Sequence, residues 1–290
     1  MSKEFFDMCR DEFKAYYLYR ALSMSRLIDK RFRDTLAKAA NDEWRHFSFW
    51  NGLVGGCSSS ISRLETYMYS FILILFGITF TLRFVESMEK KAVYVYRKAL
   101  ELRPDLASEI KAIEEDEERH EKEFLENIDE DRVRYLSSIA LGVSDALIEL
   151  TGIYTGSLGA FANTLSAGLT GLLAGIAASI SMAVAAYTQA KHEKFKSPGV
   201  SAMYTGVAYI IVTSLLALPY FVLNTISVAF TLMIVIALLI TTYMSIYSAV
   251  LSDRKFSREF IETSTLILGV SLLLYILGRI LGSVTGISIR

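Results

Sequence analysis

The second half of this chain is almost free of charge. From Tyr135 onward there are five apolar segments, at about residues 136–159, 165–190, 200–221, 223–250 and 262–285. An apolar stretch of about 20 residues is long enough to cross a bilayer as a helix. Because lipid offers the backbone no hydrogen bonds, only helices and closed barrels can cross it. The segments therefore predict a membrane domain of five helical spans.

Charge divides the chain into two parts. Most of its 30 basic and 31 acidic side chains lie within residues 1–134. We therefore expect two domains, a charged one at residues 1–130 and a membrane-embedded one at residues 131–290. The formal net charge of −1 argues against a nucleic-acid partner, because nucleic-acid-binding proteins carry a strongly basic surface.

The charged part has the periodicity of helices. Apolar residues recur there every three or four positions, which predicts helices at about residues 4–29, 31–51, 62–102 and 104–127. The predicted fold class is all-α, with a four-helix bundle followed by five spans. Residues 67–82 are apolar but shorter than the roughly 20 residues that a span needs. They are interpreted as a buried or membrane-facing end of the third helix; contact with a second copy of the chain and a further span remain alternatives.

Two of the three histidines close the same short motif. Glu43 precedes His46 by three residues, and Glu117 precedes His120 by three. Residues three apart project from one face of a helix, and here that face is the apolar stripe. A carboxylate on such a face is costly unless it is paired or bound to a metal. We interpret both pairs as metal ligands rather than as surface ion pairs.

Each of the other two predicted helices has a glutamate on its apolar side. It is Glu12 in the first helix and either Glu86 or Glu89 in the third. We favour Glu89 as the ligand, with Glu86 as a second ligand that moves with the redox state of the metal. Two Glu-x-x-His pairs and two lone glutamates are what a carboxylate-bridged di-metal centre in a helical bundle requires. The ligand types suit iron or manganese. The expected ligands, which are also the expected catalytic residues, are Glu12, Glu43, His46, Glu89, Glu117 and His120.

Cysteine usage and loop charge predict the orientation. Cys9 and Cys57 are too few for a disulfide framework or a cysteine-based metal site, which agrees with a cytosolic first domain. The charged breaks at residues 191–196 and 253–259 are basic, and basic loops stay in the cytoplasm. Five spans then predict a multi-pass protein of the cell membrane with a cytosolic N-terminal domain and an external C-terminus.

Two carboxylates lie in the first span. Asp145 and Glu149 are four residues apart and share one helix face. An ionisable side chain inside a span is costly and marks a pathway for an ion or substrate. The second span offers the thioether of Met182. The two carboxylates are therefore expected to contact a metal, whereas Met182 alone indicates little, because most methionines in membrane helices serve packing.

Residues 4–127 resemble the ferritin-like superfamily, most closely its erythrin and rubrerythrin domains. The resemblance rests on the two Glu-x-x-His pairs and on spacing, since 31 residues separate Glu12 from Glu43. The matching separation from Glu117 is 31 residues for Glu86 and 28 for Glu89. It implies a di-iron centre that oxidises Fe(II) with oxygen or peroxide. The chain has no rubredoxin-type Cys-x-x-Cys pair, on which the peroxidase cycle of such proteins depends.

Residues 135–290 resemble the vacuolar iron transporter family. The matching pieces are Gly142-Val143-Ser144-Asp145, Ile180-Ser181-Met182 with Tyr187, and Leu277-Gly278-Arg279-Ile280-Leu281-Gly282. The resemblance implies a homodimer in which Asp145 and Met182 line the route of Fe(II). The chain has Ala174 about where that family has a glutamate in the second span. Either Glu149 substitutes for that carboxylate, or transport is weaker or altered.

The joined architecture resembles membrane-bound ferritin-like proteins that carry a transporter-type membrane domain. It implies a transporter of Fe(II) or another divalent metal, whose di-iron domain captures and oxidises Fe(II) before export from the cytoplasm. The alternative is a membrane-anchored ferroxidase or peroxide scavenger whose spans serve only as an anchor. A third hypothesis is an iron sensor without turnover.

Overall fold

The structure is a computed structural model of the 290-residue chain. It describes all residues except 1–2, 26–27, 58–59, 90–91, 128–130, 158–162, 194–196, 253 and 286–290. It also leaves undescribed the side chains at 31, 86–89, 92–93, 125–127, 132, 157, 278–279 and 281–285. The described residues are helical and contain no strand, so the predicted all-α class is confirmed. The chain divides into two compact units, Met1–Glu130 and Asp131–Arg290.

The described residues of the first unit form six α-helices. They are α1 (Lys3–Ser23), α2 (Lys30–Val54), α3 (Arg63–Phe76), α4 (Ile78–Glu89), α5 (Ala92–Leu102) and α6 (Ala107–Asn127). The predicted continuous helix over residues 62–102 is wrong, because Gly77 has a φ of 87° and ends α3 there. A 3₁₀ turn that starts at Pro104 precedes α6, as proline at a helix start predicts.

Two apolar layers form the core of this unit. One layer joins α1, α2, α3, α4 and α6, and it includes Ala15, Ala40 and Phe124. The other joins α1, α2, α5 and α6, and it includes Cys9 and Trp50. In each of α1, α2 and α6, the glutamates and histidines of the predicted metal site follow residues of one layer in the sequence and precede residues of the other. The folding of apolar faces therefore buries these polar side chains at one level.

A disulfide joins Cys9 of α1 to Cys57, just after α2. Two cysteines, too few for a framework or a metal site, gave no reason to expect this bond. Because disulfides are rare in reducing compartments, cysteine usage does not support a cytosolic first unit, and the loop charges alone carry that prediction.

The second unit begins with the short α7 (Asp131–Arg134) and continues with five long helices. They are α8 (Leu136–Ser157), α9 (Thr164–Ala190), α10 (Pro198–Val222), α11 (Ile226–Leu251) and α12 (Phe256–Thr285). All five are long and apolar enough to cross a membrane, as the sequence predicts. α12 starts earlier than the predicted fifth segment, because its charged first turns are helical and Arg258 pairs with Glu262 at 2.9 Å.

Glycines bring α8, α9 and α10 close together. A Cβ atom on Gly171 of α9 would overlap the ring of Tyr154 on α8, and one on Gly175 would overlap Thr213 on α10. A Cβ on Gly142 of α8 would overlap the backbone of Thr205 on α10. Small residues permit such contacts between membrane helices.

Candidate metal centre

Five polar side chains from three helices meet inside the first unit. They are Glu12 of α1, Glu43 and His46 of α2, and Glu117 and His120 of α6. All but Glu117 are at most 4% exposed. Ligand atoms of Glu12, Glu43, His46 and Glu117 lie within 4.8 Å of one another. This is a compact group of carboxylate and imidazole atoms that could hold a metal ion.

Two of the carboxylates each face both imidazoles. Glu43 places Oε2 3.5 Å from Nδ1 of His46 and Oε1 3.3 Å from Nδ1 of His120. Glu117 places Oε1 3.1 Å from the same atom of His46 and Oε2 3.8 Å from that of His120. Both glutamates thus direct one carboxylate oxygen towards each of the two histidines. Glu12 lies on one side only, with Oε2 3.6 Å from Nδ1 of His46.

The buried atoms of this cluster fit a metal. Within the part of the chain that the structure describes, Oε1 of Glu12, both carboxylate oxygens of Glu43 and the Nδ1 atoms of His46 and His120 are buried without a hydrogen-bond partner. Buried polar atoms are normally satisfied, and leaving several unsatisfied at one place is costly. Coordination to metal ions would satisfy all of them at once.

An outer pair of aspartates orients the histidines. Nε2 of His46 lies 3.2 Å from Oδ2 of Asp116 on α6, and Nε2 of His120 lies 3.1 Å from Oδ2 of Asp42 on α2. Each aspartate thus holds the histidine of the other helix. A carboxylate on the far ring nitrogen fixes the tautomer and turns the near nitrogen towards a metal.

Two arginines close this outer layer. Nη2 of Arg45 lies 2.5 Å from Asp42 and 2.8 Å from Asp116. Nη2 of Arg119 lies 2.8 Å from Asp42 and 2.5 Å from Asp116. The sequence reasoning missed these four residues. The signal was present as a longer repeat, Asp-Glu-x-Arg-His, at residues 42–46 and 116–120.

The cluster holds protons in the absence of metal. Burial alone would lower the pKa of His120, but the carboxylates of Glu117 and Glu43 outweigh it and raise that pKa to about 10. The same balance raises the pKa of His46 well above its usual range. Burial raises the pKa of Glu12, whereas the two imidazoles overcome burial at Glu43 and lower its pKa to about 2.

The third-helix ligand lies outside the described side chains. Glu86 and Glu89 belong to α4, but their side chains are not described, so neither is chosen over the other. In sequence they follow Val85, which lies in one apolar layer, and precede Tyr96, which lies in the other. Like the five clustered ligands, these two glutamates therefore come in the sequence between a residue of one apolar layer and a residue of the other.

The predicted membrane residues lie on α8 and α9. Asp145 and Glu149 are half-buried on α8, one helical turn apart. Oε2 of Glu149 accepts a hydrogen bond of 2.6 Å from the buried hydroxyl of Tyr209 on α10, a partner that the sequence did not indicate. Met182 of α9 is partly buried against the apolar core of this unit.

No family model matches this chain, and neither characterised proteins nor solved structures show a significant similarity to it. Fold and site together define an all-α protein with five helices fit to span a membrane and a buried glutamate–histidine group that could hold a metal ion.

Proposed function

We propose that this protein transports iron or another divalent metal across the cell membrane, and that its first unit is a cytosolic di-iron domain that captures and oxidises Fe(II). The observation that carries the proposal is the position of Glu43 and Glu117, each of which faces both His46 and His120. Each of these carboxylates has one oxygen near each histidine. Together the two carboxylates and two imidazoles would hold a pair of ions.

The donor atoms favour iron or manganese. Carboxylate oxygen with imidazole nitrogen, and no thiolate among the clustered ligands, suits iron or manganese better than a structural zinc ion. Glu12, Glu43, His46, Glu117 and His120 would hold the metal, with Glu86 or Glu89 completing the set. With iron bound, this site would oxidise Fe(II) with oxygen or peroxide. Asp42 and Asp116 would keep the histidines oriented for binding.

The carboxylates of the first span support transport. Asp145 and Glu149 occupy one face of α8 within the membrane segment Leu136–Gly156. Acidic groups at such a place mark pathways for cations, and Met182 offers a soft sulfur that would release Fe(II) readily. The basic loops favour a cytosolic first unit, so we infer export. We propose a homodimer as the working unit, as the resemblance implies.

Metal flux tests this proposal directly. Proteoliposomes with the full chain are loaded with an Fe(II)- or Mn(II)-sensitive dye, and uptake is followed under an imposed proton gradient. Asp145→Asn keeps the shape of the side chain and should abolish flux while Fe(II) oxidation at the bundle persists. Asp131→Asn, a matched change outside the spans, should leave flux unchanged. Absence of flux of any divalent metal in the wild type would refute transport.

One observation favours the anchored oxidase. The hydrogen bond from Tyr209 gives Glu149 a partner within the protein, so this carboxylate does not need a metal to be stable. If wild-type proteoliposomes oxidise Fe(II) but pass no metal, the spans act as an anchor and the second function is correct.

A further inference from the structure

The disulfide of the first unit has one buried and one accessible cysteine. Cys9 lies within α1 and is 0% exposed, whereas Cys57 follows α2 and is only half-buried. The residues just before Cys57 are open, because a Cβ atom added to Gly55 or Gly56 would meet nothing within 4 Å. A soluble thiol can therefore approach the sulfur of Cys57, and thiol–disulfide exchange begins with such an attack.

Asn51 of α2 holds the two cysteines together. Its Oδ1 accepts a 2.8 Å hydrogen bond from the backbone N–H of Cys57 and lies 4.0 Å from Sγ of Cys9. Reduction would leave the first of these contacts in place, because it involves the backbone of Cys57 rather than its sulfur. The thiol of Cys9 would find a hydrogen-bond acceptor at the same oxygen. The pair is thus arranged to open and close without losing its position.

The buried sulfur lies next to the metal cluster. Cys9 precedes Glu12 by three residues on α1, so the two side chains share one helix face with their Cβ atoms about 5–6 Å apart. Glu12 in turn places Oε2 3.6 Å from Nδ1 of His46. Electrons would have to cross only one helical turn between Cys9 and a ligand of the cluster, a distance that packed side chains allow.

The compartment favours a disulfide that is repeatedly reduced and re-formed. The basic loops predict a cytosolic first unit, and cytosolic thiols are kept reduced. Disulfides that do occur in the cytosol are usually catalytic or redox-sensing. The chain has no other cysteine, so Cys9 and Cys57 form a self-contained pair that can deliver two electrons. Two metal ions that each change by one electron require the same number.

We propose that Cys9 and Cys57 donate electrons to the metal cluster, so that the first unit reduces hydrogen peroxide with its own dithiol. This inference rests on the proposed di-metal site. Peroxide takes up two electrons and two protons, its O–O bond breaks, and two molecules of water form. The two S–H bonds supply these electrons and protons, and the S–S bond forms. The electrons pass by way of the two bound ions, which end in their starting state.

Exchange at Cys57 completes the cycle. One soluble thiol attacks the sulfur of Cys57 and releases the thiol of Cys9. A second soluble thiol then displaces the first from Cys57, and the two leave as their own disulfide. The dithiol of the protein is restored, and the net reaction consumes two soluble thiols for each peroxide.

Counting of free thiols tests the proposal. The full chain in detergent micelles is reduced, freed of reductant and loaded with Fe(II) in the absence of oxygen, and its metal content is measured. After addition of one equivalent of hydrogen peroxide, free thiols are alkylated at intervals and counted by intact mass. Both thiols should disappear together as a disulfide. Because buried thiols react slowly with peroxide by themselves, the metal-free chain should form this bond about tenfold more slowly, or slower still.

Matched variants separate the metal site from the cysteines. Glu117→Ala, which removes a carboxylate of the cluster, should form the bond as slowly as the metal-free chain at the same iron concentration. Glu118→Ala changes an exposed neighbour on α6 and should form it at the wild-type rate. Cys57→Ser should keep its bound metal, which would show that the thiols are not ligands. Circular dichroism should show equal helicity in all variants.

Several outcomes would overturn the inference. Equal rates in the iron-loaded wild type and in Glu117→Ala would mean that the thiols react with peroxide without the cluster. Peroxide consumed with both thiols intact would make the disulfide a structural bond only, and so would a disulfide that soluble thiols reduce only in the unfolded chain. Wild-type protein without bound iron would refute the di-metal site itself, whereas bound iron with unreactive thiols refutes this inference alone.

Discussion

Oε1 of Glu117 on α6 lies 3.1 Å from Nδ1 of His46 on α2, although 71 residues separate them in the chain. The same carboxylate also faces His120 on its own helix, at 3.8 Å. One side chain therefore links the two Glu-x-x-His pairs. Glu43 makes the reciprocal link from α2, so the two motifs act as one site rather than two.

Loss of Glu117 should remove most of the bound metal. Glu117→Ala deletes the carboxylate that faces both histidines. If the proposed pair of ions is bound, we expect metal to fall from two ions per chain to one or fewer while helicity is preserved. Metal per chain is measured by mass spectrometry after equilibration with Fe(II) or Mn(II). Glu118→Ala, an exposed neighbour on α6, should bind as the wild type. Equal metal in both variants would show that Glu117 is not a ligand.

Asp42 and Asp116 should act on metal affinity through the histidines. Asp116→Asn weakens the acceptor at Nε2 of His46, and loss of such partners typically lowers metal affinity by about 10–100-fold. Titration calorimetry with Mn(II) would measure this change, and Asp42→Asn should give a similar loss through His120. Glu115→Gln, which alters an exposed carboxylate on the same helix, is the control. An unchanged Kd for both aspartate variants would contradict this positioning role.

Metal binding should release protons at neutral pH. Imidazole must be neutral to bind a metal, whereas the metal-free site raises the pKa of His120 to about 10. Proton release is measured by calorimetry in buffers of different ionisation enthalpy, and metal affinity should fall as pH falls. A heat independent of the buffer would contradict the prediction.

The metal-free protein should lose stability as pH rises, whereas metal affinity should increase as pH rises. Because the folded-state pKa of His120 lies above the ordinary value of 6.5 for a histidine, this group stabilises the fold fully below about pH 6.5. That stabilisation should disappear as pH rises through about 10. Thermal unfolding of chelator-treated protein between these limits would show a decline in Tm, which bound metal should suppress.

The disulfide should stabilise the first unit without holding the metal. Cys9 and Cys57 close a loop with a sequence separation of 48, for which chain entropy suggests about 4 kcal/mol as an upper value. Reductant, or the double change Cys9→Ser and Cys57→Ser, should lower the Tm by several degrees. Metal content should remain, since the ligands are positioned by α1, α2 and α6. A Tm insensitive to reductant would contradict the prediction.

Cysteine labelling should establish the orientation. In a background in which Cys9 and Cys57 are both replaced by serine, a cysteine introduced at Ser252, after α11, should react only from the cytoplasm. One introduced at Asn224, between α10 and α11, should react only from outside. The reverse pattern would place the first unit outside the cell.

Much of the helical architecture was predictable because its signals are local. A run of apolar residues is sufficient to identify the five spans, and spacings of three or four residues place Glu43 with His46 on one face. The burial of Glu12 on α1 follows from the same periodicity. Gly77 shows the limit of this reasoning, since its positive φ interrupts a helix that hydrophobicity alone would continue.

Partnerships between helices depend on packing, which spacing along one helix does not contain. Asp42 reaches His120, and Tyr209 reaches Glu149, only because separate helices approach within hydrogen-bond distance. The Cys9–Cys57 bond is likewise a product of tertiary contact. The chain's local pattern determined which residues form helices and which faces are buried. Only the packed fold decided which buried polar groups find partners and which remain available to bind an ion.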